Sequence, residues 1–233
     1  MLKSLISGQP VYPAESIAPD RNRTVCITGH REKNVPPYGG NPLYRSLTLS
    51  AVKLMLYRYI DMAAEQGYLN FISGLAVGTD LWAAEYIIKK RKSNKNIRLI
   101  GAMPYLRHAE RFPADYRRLL AQVEKEADVL VTVNDDPDIV YGSPSAGENR
   151  SADLYRRRNY FMVDHSSAVI AFLSSGHSIS GTAQTVNYAR RTGCRVCRFG
   201  TDDVFRIIDS SGTDIRLIGR EIMFLDNVFG APD

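Results

Sequence analysis

The chain has 233 residues, of which 44% are hydrophobic and 24% are charged, and it carries a formal net charge of +5 at pH 7. This size and composition are typical of a soluble globular protein with one large domain, alone or with an appendage. No apolar stretch approaches the roughly 20 residues that a membrane span requires, and the first residues lack the apolar core of a secretory signal. We therefore expect a cytoplasmic protein without a membrane partner.

Much of the positive charge lies in one run, KKRKSNKNIR, from Lys89 to Arg98. A basic run at the end of a helix is usually solvated and complements the negative end of the helix dipole. Nucleic-acid binding is the less favoured interpretation, because the run contains no interleaved aromatic residues.

The three cysteines are expected to be structural. Cys194 and Cys197 have a CRVC spacing, but a zinc site needs a second such pair, and Cys26 alone cannot supply it. In a strand, positions three apart point to opposite faces of the sheet. We therefore expect no metal site.

Short apolar runs alternate with helical patterns along most of the chain. Residues 1–23, rich in Pro, Ser and Gly, are predicted to form a leader that lies on the surface or is disordered. A helix over 42–66 begins at Asn41-Pro42 and ends at Gly67. Strands are predicted at 24–28, 69–73, 97–103, 128–133, 168–173 and 195–199, and further helices at 80–92, 113–127, from 148, and at 182–192.

This alternation predicts an α/β fold in which a mostly parallel sheet is covered by helices on both faces. The broad apolar face of the helix over 42–66 is typical of a helix that packs against such a sheet. The main domain is expected to span 24–200. The tail, residues 201–233, is read as a small C-terminal extension with a β-hairpin, because SSGTD separates two short apolar runs. The loop at 134–147 is expected to be exposed.

Two glycine-rich turns lie where a strand gives way to a helix: FISGLAVGTDLWAAEYI, from Phe71 to Ile87, and FLSSGHSISGTAQTVNYA, from Phe172 to Ala189. The first N–H groups of a helix are unpartnered and carry partial positive charge, and glycine lets an anion approach them. A glycine here is also common as simple turn punctuation. Two such turns at the carboxyl ends of parallel strands nevertheless favour one nucleotide-binding crevice.

Four stretches together resemble the YpsA-like family of the SLOG superfamily, which includes the DNA-processing protein DprA and the LOG phosphoribohydrolases. They are ITGHR at 27–31, FISGLAVGTDLWAAE at 71–85, RNYFMVDHS at 158–166 and SGTAQTVNYA at 180–189. The resemblance covers residues 24–199 and implies a Rossmann-like three-layer sandwich that binds a nucleotide or nucleotide-derived ligand, plausibly as a homo-oligomer. The family positions carry over onto Gly29, Gly74, Gly78, Gly181, Thr28, Arg31, Asp80, Glu85, Arg158, Asn159, Asp164 and Thr182.

One departure from the family bears on catalysis. The LOG enzymes carry an acidic residue just past the glycine-rich turn, where a carboxylate assists departure of a base from ribose. This chain has Thr182-Ala183-Gln184-Thr185 in that stretch. Direct transfer of the LOG activity is therefore not expected.

Several side chains have alternative roles. Arg31 either clamps a phosphate or pairs with a surface acid, and His30 either binds the ligand or caps its turn. Thr79 opens the helix at the first glycine turn, where Asp80 is a ligand residue or only a helix cap. A partly buried Arg158 needs a carboxylate or phosphate partner. Asp164 is one option for that partner, or a ribose ligand. Tyr38 is the stacking candidate for a base, whereas Trp82 and Tyr86 are expected in the core or at a subunit contact.

The leading hypothesis is a nucleotide-binding sensor or regulatory protein that requires no cofactor. Its ligand is NAD, ADP-ribose or a nucleoside phosphate, with phosphates near Gly29, Gly78 and Gly181. The first alternative is a hydrolase of an N-glycosidic bond, with Glu85 or Asp164 as the acid. The second is single-stranded DNA binding through the basic run, which uses Lys89, Lys90, Arg91 and Lys92.

Overall fold

A computed structural model describes residues 2–139, 150–174 and 180–230 of the chain. The strands are β1 (Leu2–Lys3), β2 (Pro10–Pro13), β3 (Thr24–Gly29), β4 (Asn70–Ser73), β5 (Arg98–Met103), β6 (Val129–Thr132), β7 (Ala168–Phe172) and β8 (Arg195–Phe199). The α-helices are α1 (Arg45–Glu65), α2 (Thr79–Arg91), α3 (Ala114–Glu126), α4 (Arg150–Asp164), α5 (Gly181–Arg191), α6 (Thr201–Ser211) and α7 (Ile215–Met223). Strands and helices alternate from β3 to β8, as the sequence predicts.

Within the described residues the strands form one sheet in the order β1-β2-β6-β5-β4-β3-β7-β8. All neighbouring strands are parallel except β1 and β2. Strand β3 lies at the centre, where Cys26 is opposite Ile72 of β4 and Val169 of β7. The predicted mostly parallel sheet is confirmed.

Apolar residues cover both faces of the sheet. Along β3, Val25 and Ile27 belong to the core beneath α1, α2, α3, α6 and α7, while Cys26 belongs to the core beneath α4 and α5. All three side chains are fully buried, which explains the continuous apolar runs of the parallel strands. The three-layer, Rossmann-like α/β architecture is therefore also confirmed.

Helix α1 starts and stops where its local chemistry requires. Asn41 accepts a hydrogen bond from the N–H of Leu43 at 3.0 Å, and Pro42 opens a 3-10 turn that leads into the helix. Gly67, with φ of +88°, ends it because the left-handed conformation suits glycine. Most residues of its broad apolar face are buried against the sheet side of the molecule.

The N-terminal segment is part of the fold, so the expectation of a surface or disordered leader is wrong. Strand β2 pairs in parallel with β6, with Tyr12 opposite Val131. Val11 and Ala14 are buried, and Ile17 packs on the same core as α4 and α5. Because β2 is short and has proline at both ends, as edge strands tolerate, its sequence carries little strand pattern.

The C-terminal extension is helical, so the hairpin expectation for residues 201–233 is also wrong. Helix α6 buries Val204, Ile207 and Ile208, whose spacing is that of one helix face. Gly212, with φ of +74°, ends the turn after α6, and Asp214 caps α7 through the N–H of Arg216 at 2.9 Å. The polar stretch that resembles a hairpin loop is thus a connection between two helices.

Some expectations fall wholly or partly outside the described ranges. These are the exposed loop at 134–147, the helix start at 148 and residues 175–179 of the second glycine turn. Within the described ranges, no helix combines the length and the apolar composition that crossing a bilayer requires.

Candidate functional site

A polar cavity of about 270 Å³ opens at the carboxyl end of β3. Strand β3 lies between β4 and β7, where the strand order reverses direction, and open parallel sheets bind ligands at such points. The cavity, called the cleft below, is lined by Thr28, Gly29, His30, Arg31, Asn34, Ala76, Asp80, Tyr155, Arg158, Asn159, Ser180, Gly181 and Thr182.

Two larger cavities lie elsewhere. One of about 380 Å³ is lined by residues that include Asn134, Asp153 and Arg157. Another of about 850 Å³ lies near the amino ends of the strands, beside Asp20 and Arg98. Neither contains any residue of the family motifs that define the predicted site. We therefore take the smaller cleft as the functional site, since chemistry and not volume distinguishes it.

The floor of the cleft is a buried ion pair between Arg158 and Asp80. Arg158 Nη1 donates to Asp80 Oδ2 at 3.3 Å, and the two side chains are 5% and 9% exposed. The N–H of Ala76 donates to the same carboxylate at 3.4 Å. Asp80, and not Asp164, is therefore the partner of Arg158, and Asp80 is more than a helix cap.

The ion pair leaves part of the hydrogen-bonding capacity of Arg158 unused. Burial raises the pKa of the Asp80 carboxyl, although the charge of Arg158 acts in the opposite direction. Arg158 Nε is buried and has no hydrogen-bond partner among the described residues. The Tyr155 ring lies 5.7 Å from the guanidinium carbon of Arg158 and stabilises the cation through its π face. A buried guanidinium with spare donor capacity is suited to bind an anion.

Gly74 makes room for this ion pair. A Cβ at residue 74 would lie 1.4 Å from Arg158 Nη1 and 2.5 Å from Asp80 Oδ2. The absence of a side chain lets the guanidinium lie directly over the backbone. Gly74 does not line the cleft, so the structure gives it a packing role in place of the expected ligand contact.

The ends of β3 and of the first glycine turn pack directly against each other. Thr79 Oγ1 donates to the carbonyl of His30 at 2.8 Å, and a Cβ on Gly29 would lie 2.5 Å from that oxygen. A Cβ on Gly78, whose φ is +96°, would lie 2.8 Å from Arg31 Cα. Gly78 and Thr79 do not line the cleft. They hold the loop after β3, and the phosphate contact expected at Gly78 stays a prediction.

The first turn of α5 lies at the cleft. Ser180 caps α5 by accepting a hydrogen bond from the N–H of Ala183 at 3.1 Å. Gly181 and Thr182 line the cleft in this turn, and a Cβ on Gly181 would meet no described atom within 4 Å. The positive end of the helix dipole therefore lies at the cleft.

The cleft carries an excess of positive charge. Arg31 is exposed, lines the cleft and makes no ion pair with any residue that the structure describes. Arg31 and Arg158 are accompanied by a single lining carboxylate, Asp80, so the described lining carries a net formal charge of +1. His30 is buried and packs edge-on against Phe172 at 5.7 Å, and its carbonyl is held by Thr79.

Four lining residues were missed by the sequence reading: Asn34, Ala76, Tyr155 and Ser180. Tyr155 lies three residues before Arg158 on α4, so helical spacing could have placed it on the same face. Ser180 precedes the helix at Gly181, where a serine cap is expected. The sequence contains no local signal for Asn34 or Ala76, which enter the cleft through the loop geometry.

The two predicted acids lie outside the cleft. Glu85 pairs with Lys89 at 3.0 Å on the surface of α2. Asp164 is exposed at the last residue of α4 and accepts a hydrogen bond from the Tyr188 hydroxyl at 2.8 Å. Since α4 leads into the amino end of β7, Asp164 lies toward the opposite edge of the sheet. Neither residue lines the cleft.

Three of the six cations in the basic run are paired with acids. Lys89 is paired with Glu85, Lys90 Nζ lies 2.5 Å from Asp61, and Arg91 contacts Asp128 at 2.7 Å. These three side chains therefore have acidic partners within the fold, at the end of α2.

The three aromatic candidates pack against other parts of the fold. Trp82 is buried, and Tyr86 stacks on Tyr57 with ring centroids 4.1 Å apart. Tyr38 packs against Phe205 of α6 and does not line the cleft. It is therefore not placed to stack on a base.

The cysteines are buried thiols. Burial raises the pKa of Cys194 to about 11 and that of Cys197 to about 12. Among residues with described positions, no group of three His, Cys, Asp or Glu side chains is arranged to hold a metal ion.

Comparison with known proteins places the chain in a family. The chain is 28% identical over 132 residues to the SPbeta prophage-derived protein YoqJ of Bacillus subtilis (strain 168), covering 57% of this chain and 75% of YoqJ. It is 24% identical over 158 residues to a UPF0398 protein of Macrococcus caseolyticus (strain JCSC5402), covering 68% and 78%.

Among solved structures, DNA processing protein A (DprA) of Streptococcus pneumoniae matches with a TM-score of 0.45 and 18% identity. The match covers 87% of this chain, which spans 62% of that DprA chain. The profile of the YspA SLOG family matches residues 25–199, which hold strands β3 to β8 apart from the first residue of β3, and every described residue that lines the cleft. The chain belongs to the YspA SLOG family.

Proposed function

We propose that the cleft binds the phosphate-bearing part of a nucleotide or nucleotide-derived ligand, and that the protein acts as a sensor or regulator. One observation carries this proposal: two arginines and the first turn of a helix line a single small cavity. Arg31, Arg158 and Gly181 supply these three features. Each of them favours an anion, and guanidinium groups suit phosphate geometry.

The arrangement favours a phosphate between Arg31 and the first turn of α5. The amides of Asn34 and Asn159 also line the cleft and supply both donors and acceptors for a ribose or a base. A volume of about 270 Å³ is at the small end of ligand sites, which typically measure about 300 to 1,000 Å³. A nucleoside monophosphate, or one half of NAD or ADP-ribose, fits this size.

Calorimetry and thermal shift against AMP, ATP, NAD and ADP-ribose test the proposal. A ligand that binds only the folded state raises the free energy of unfolding by about 2.7 kcal/mol at one hundred times its dissociation constant. We expect at least one of these compounds to bind, and inorganic phosphate to compete with it. Failure of every compound to bind would overturn the proposal.

Two variants of Gly181 separate binding from folding. Gly181→Asp places a negative charge at the first turn of α5, which favours the helix dipole but repels a phosphate. Gly181→Ala fills the same open space without charge. We expect both variants to fold, and only Gly181→Asp to lose most of its nucleotide affinity. Equal affinity of the two variants would remove α5 from the binding site.

The geometry gives less support to the two alternative functions. Hydrolysis of an N-glycosidic bond needs an acid beside the ligand. The predicted acids Glu85 and Asp164 do not line the cleft, and the carboxylate that does, Asp80, is ion-paired with Arg158. Single-stranded DNA binding through the run at 89–92 needs free cations, and three of those four side chains are ion-paired. Appearance of free base from AMP or NAD, or tight DNA binding lost on neutralising that run, would reverse this preference.

A further inference from the structure

The loop between β3 and α1 connects the cleft to the C-terminal helices. Its first part carries Arg31 and Asn34, which line the cleft. Its later part carries Tyr38, which points away from the cleft and contacts α6. Helix α6 lies outside the segment that matches the family profile, residues 25–199.

The first part of the loop is fixed by the body of the domain. Arg45 donates to the carbonyls of Val35 at 2.9 Å and Glu32 at 3.1 Å. The Tyr116 hydroxyl donates to the Glu32 carboxylate at 2.5 Å. These contacts allow a short helical turn in which the N–H of Asn34 bonds the carbonyl of Arg31 at 2.9 Å.

A stiff connector joins this turn to Tyr38. Residues 35–37 are Val-Pro-Pro, and both Val35 and Pro37 have extended backbone angles, with φ and ψ of −90° and 110°, and −70° and 148°. Proline fixes φ, and consecutive prolines form a semi-rigid spacer. A displacement of Tyr38 is therefore transmitted to Val35 and Asn34, because the connector cannot absorb it.

Tyr38 is held by two contacts with α6 and one with α1. Its ring packs edge-on against Phe205 with centroids 5.4 Å apart, and its hydroxyl donates to the Asp209 carboxylate. Phe205 and Asp209 are four residues apart and thus share one face of α6. The Tyr38 backbone N–H also donates to Thr48 Oγ1 at 2.9 Å.

We propose that Tyr38 is a positioning residue for the cleft, and that α6 holds Arg31 and Asn34 in their binding positions through it. The C-terminal extension is then a brace for the ligand loop. The part of this proposal that concerns affinity rests on the proposed nucleotide function, whereas the part that concerns the loop does not.

Hydrogen exchange of the Asn34 and Val35 amides tests the brace without any ligand. Both amides are bonded within the loop turn, to the carbonyls of Arg31 and Glu32 at 2.9 and 3.1 Å. We expect Tyr38→Ala, Tyr38→Phe and Asp209→Ala to accelerate their exchange by about tenfold or more. Asp209→Asn keeps an acceptor for the Tyr38 hydroxyl and should retain protection. Tyr12→Ala, which removes a tyrosine at the distant sheet edge, should change nothing.

Tyr38→Phe is the control for a folding defect, because it keeps the ring that packs on Phe205 and removes only the hydroxyl. Its unfolding transition is compared with that of the parent chain. Unchanged exchange of Asn34 and Val35 in both Tyr38 variants would overturn the brace. Equal acceleration in Asp209→Asn and Asp209→Ala would also overturn it, because the hydrogen bond to residue 209 would then have no role.

Calorimetry with AMP tests the consequence for binding. We expect Tyr38→Phe and Asp209→Ala to bind AMP about tenfold more weakly than the parent chain, with Asp209→Asn restoring the affinity. Faster loop exchange together with unchanged AMP affinity would overturn the positioning role. If the parent chain binds ATP, NAD or ADP-ribose but not AMP, the same comparison uses the compound that binds. If it binds none of the four, the nucleotide proposal fails, while the exchange data still decide whether α6 braces the loop.

Discussion

Replacing Gly74 by alanine should destabilise the protein far more than a single methyl group suggests. The new Cβ would lie 1.4 Å from Arg158 Nη1 and 2.4 Å from its Cζ, so the guanidinium must leave its position. Arg158 and Asp80 are 5% and 9% exposed, and the displaced cation cannot keep its contact with the carboxylate. The substitution therefore acts as a break in a buried ion pair.

The expected loss of unfolding free energy follows from breaking this ion pair. Separating a buried ion pair costs about 3 to 5 kcal/mol of unfolding free energy, since it leaves uncompensated charges in the interior. Burial already raises the pKa of Asp80, so the stranded carboxyl takes up a proton more readily than an ordinary one. Because protonation removes the buried negative charge, we expect the loss of unfolding free energy to lie near the lower end of this range, at about 3 kcal/mol.

Urea unfolding followed by the fluorescence of Trp82, the single and buried tryptophan, measures the loss. Gly181→Ala is the matched control, because its Cβ meets nothing within 4 Å; we expect its effect to stay below about 0.5 kcal/mol. In the Arg158→Ala background, Gly74→Ala should lose most of its effect. A Gly74→Ala variant within about 0.5 kcal/mol of the parent chain would refute the steric argument.

Three further predictions concern parts of the fold outside the cleft. Burial lowers the pKa of His108 to about 4 from 6.5, so the folded state binds this proton less readily than the unfolded chain. The free energy of unfolding should therefore fall by about 3 kcal/mol as the pH drops from 6.5 to 4, and urea titrations of His108→Gln should show a flatter dependence. Val11→Asp places an unpaired charge in the core and should cost about 3 kcal/mol or more in chemical unfolding, whereas the exposed Tyr12→Asp should cost less than about 1 kcal/mol. Cys194 and Cys197 should not react with a thiol reagent at pH 8 until the protein unfolds, and rapid labelling of the native protein would contradict their burial.

The central sheet could be predicted because its strands are buried on both faces. In β7 every residue from Ala168 to Phe172 is buried, and such a continuous apolar run bounded by turn residues is visible in the sequence. The helix boundaries at Asn41 and Gly67 could be predicted for a similar reason, since capping is local chemistry.

The C-terminal helices show where local patterns mislead. The apolar residues of α6 have helical spacing. However, Val204, Ile207 and Ile208 are β-branched, and three such residues in a short stretch also favour a strand. Packing of α6 and α7 against α1 decides in favour of the helices. Tertiary contacts of this kind cannot be read from a single segment.

The sequence could indicate many individual residues of the cleft, but not which of them contact each other. The sequence indicates that Arg158 requires a partner, because a helical arginine on an apolar face cannot remain buried and unpaired. The partner, Asp80, is 78 residues away, and nothing local distinguishes it from Asp164. In the same way, Gly29 and Gly78 could be recognised as special positions, but their contacts with Thr79 and Arg31 depend on how two strands end side by side.

The position of β2 beside β6 constrains the order in which this protein folds. Tyr12 lies opposite Val131, and Ser4 bonds Glu124 across 120 residues of sequence. During synthesis β2 emerges long before β6 exists, so it can pair with β1 but must wait for β6 while β3, β4 and β5 assemble. Contacts of such long sequence separation are slow to form. Until β2 pairs with β6, the outer edge of β6 exposes unpaired backbone N–H and C=O groups. This edge is therefore the last part of the sheet to be paired, and the part most open to a chaperone or to association between incompletely folded chains.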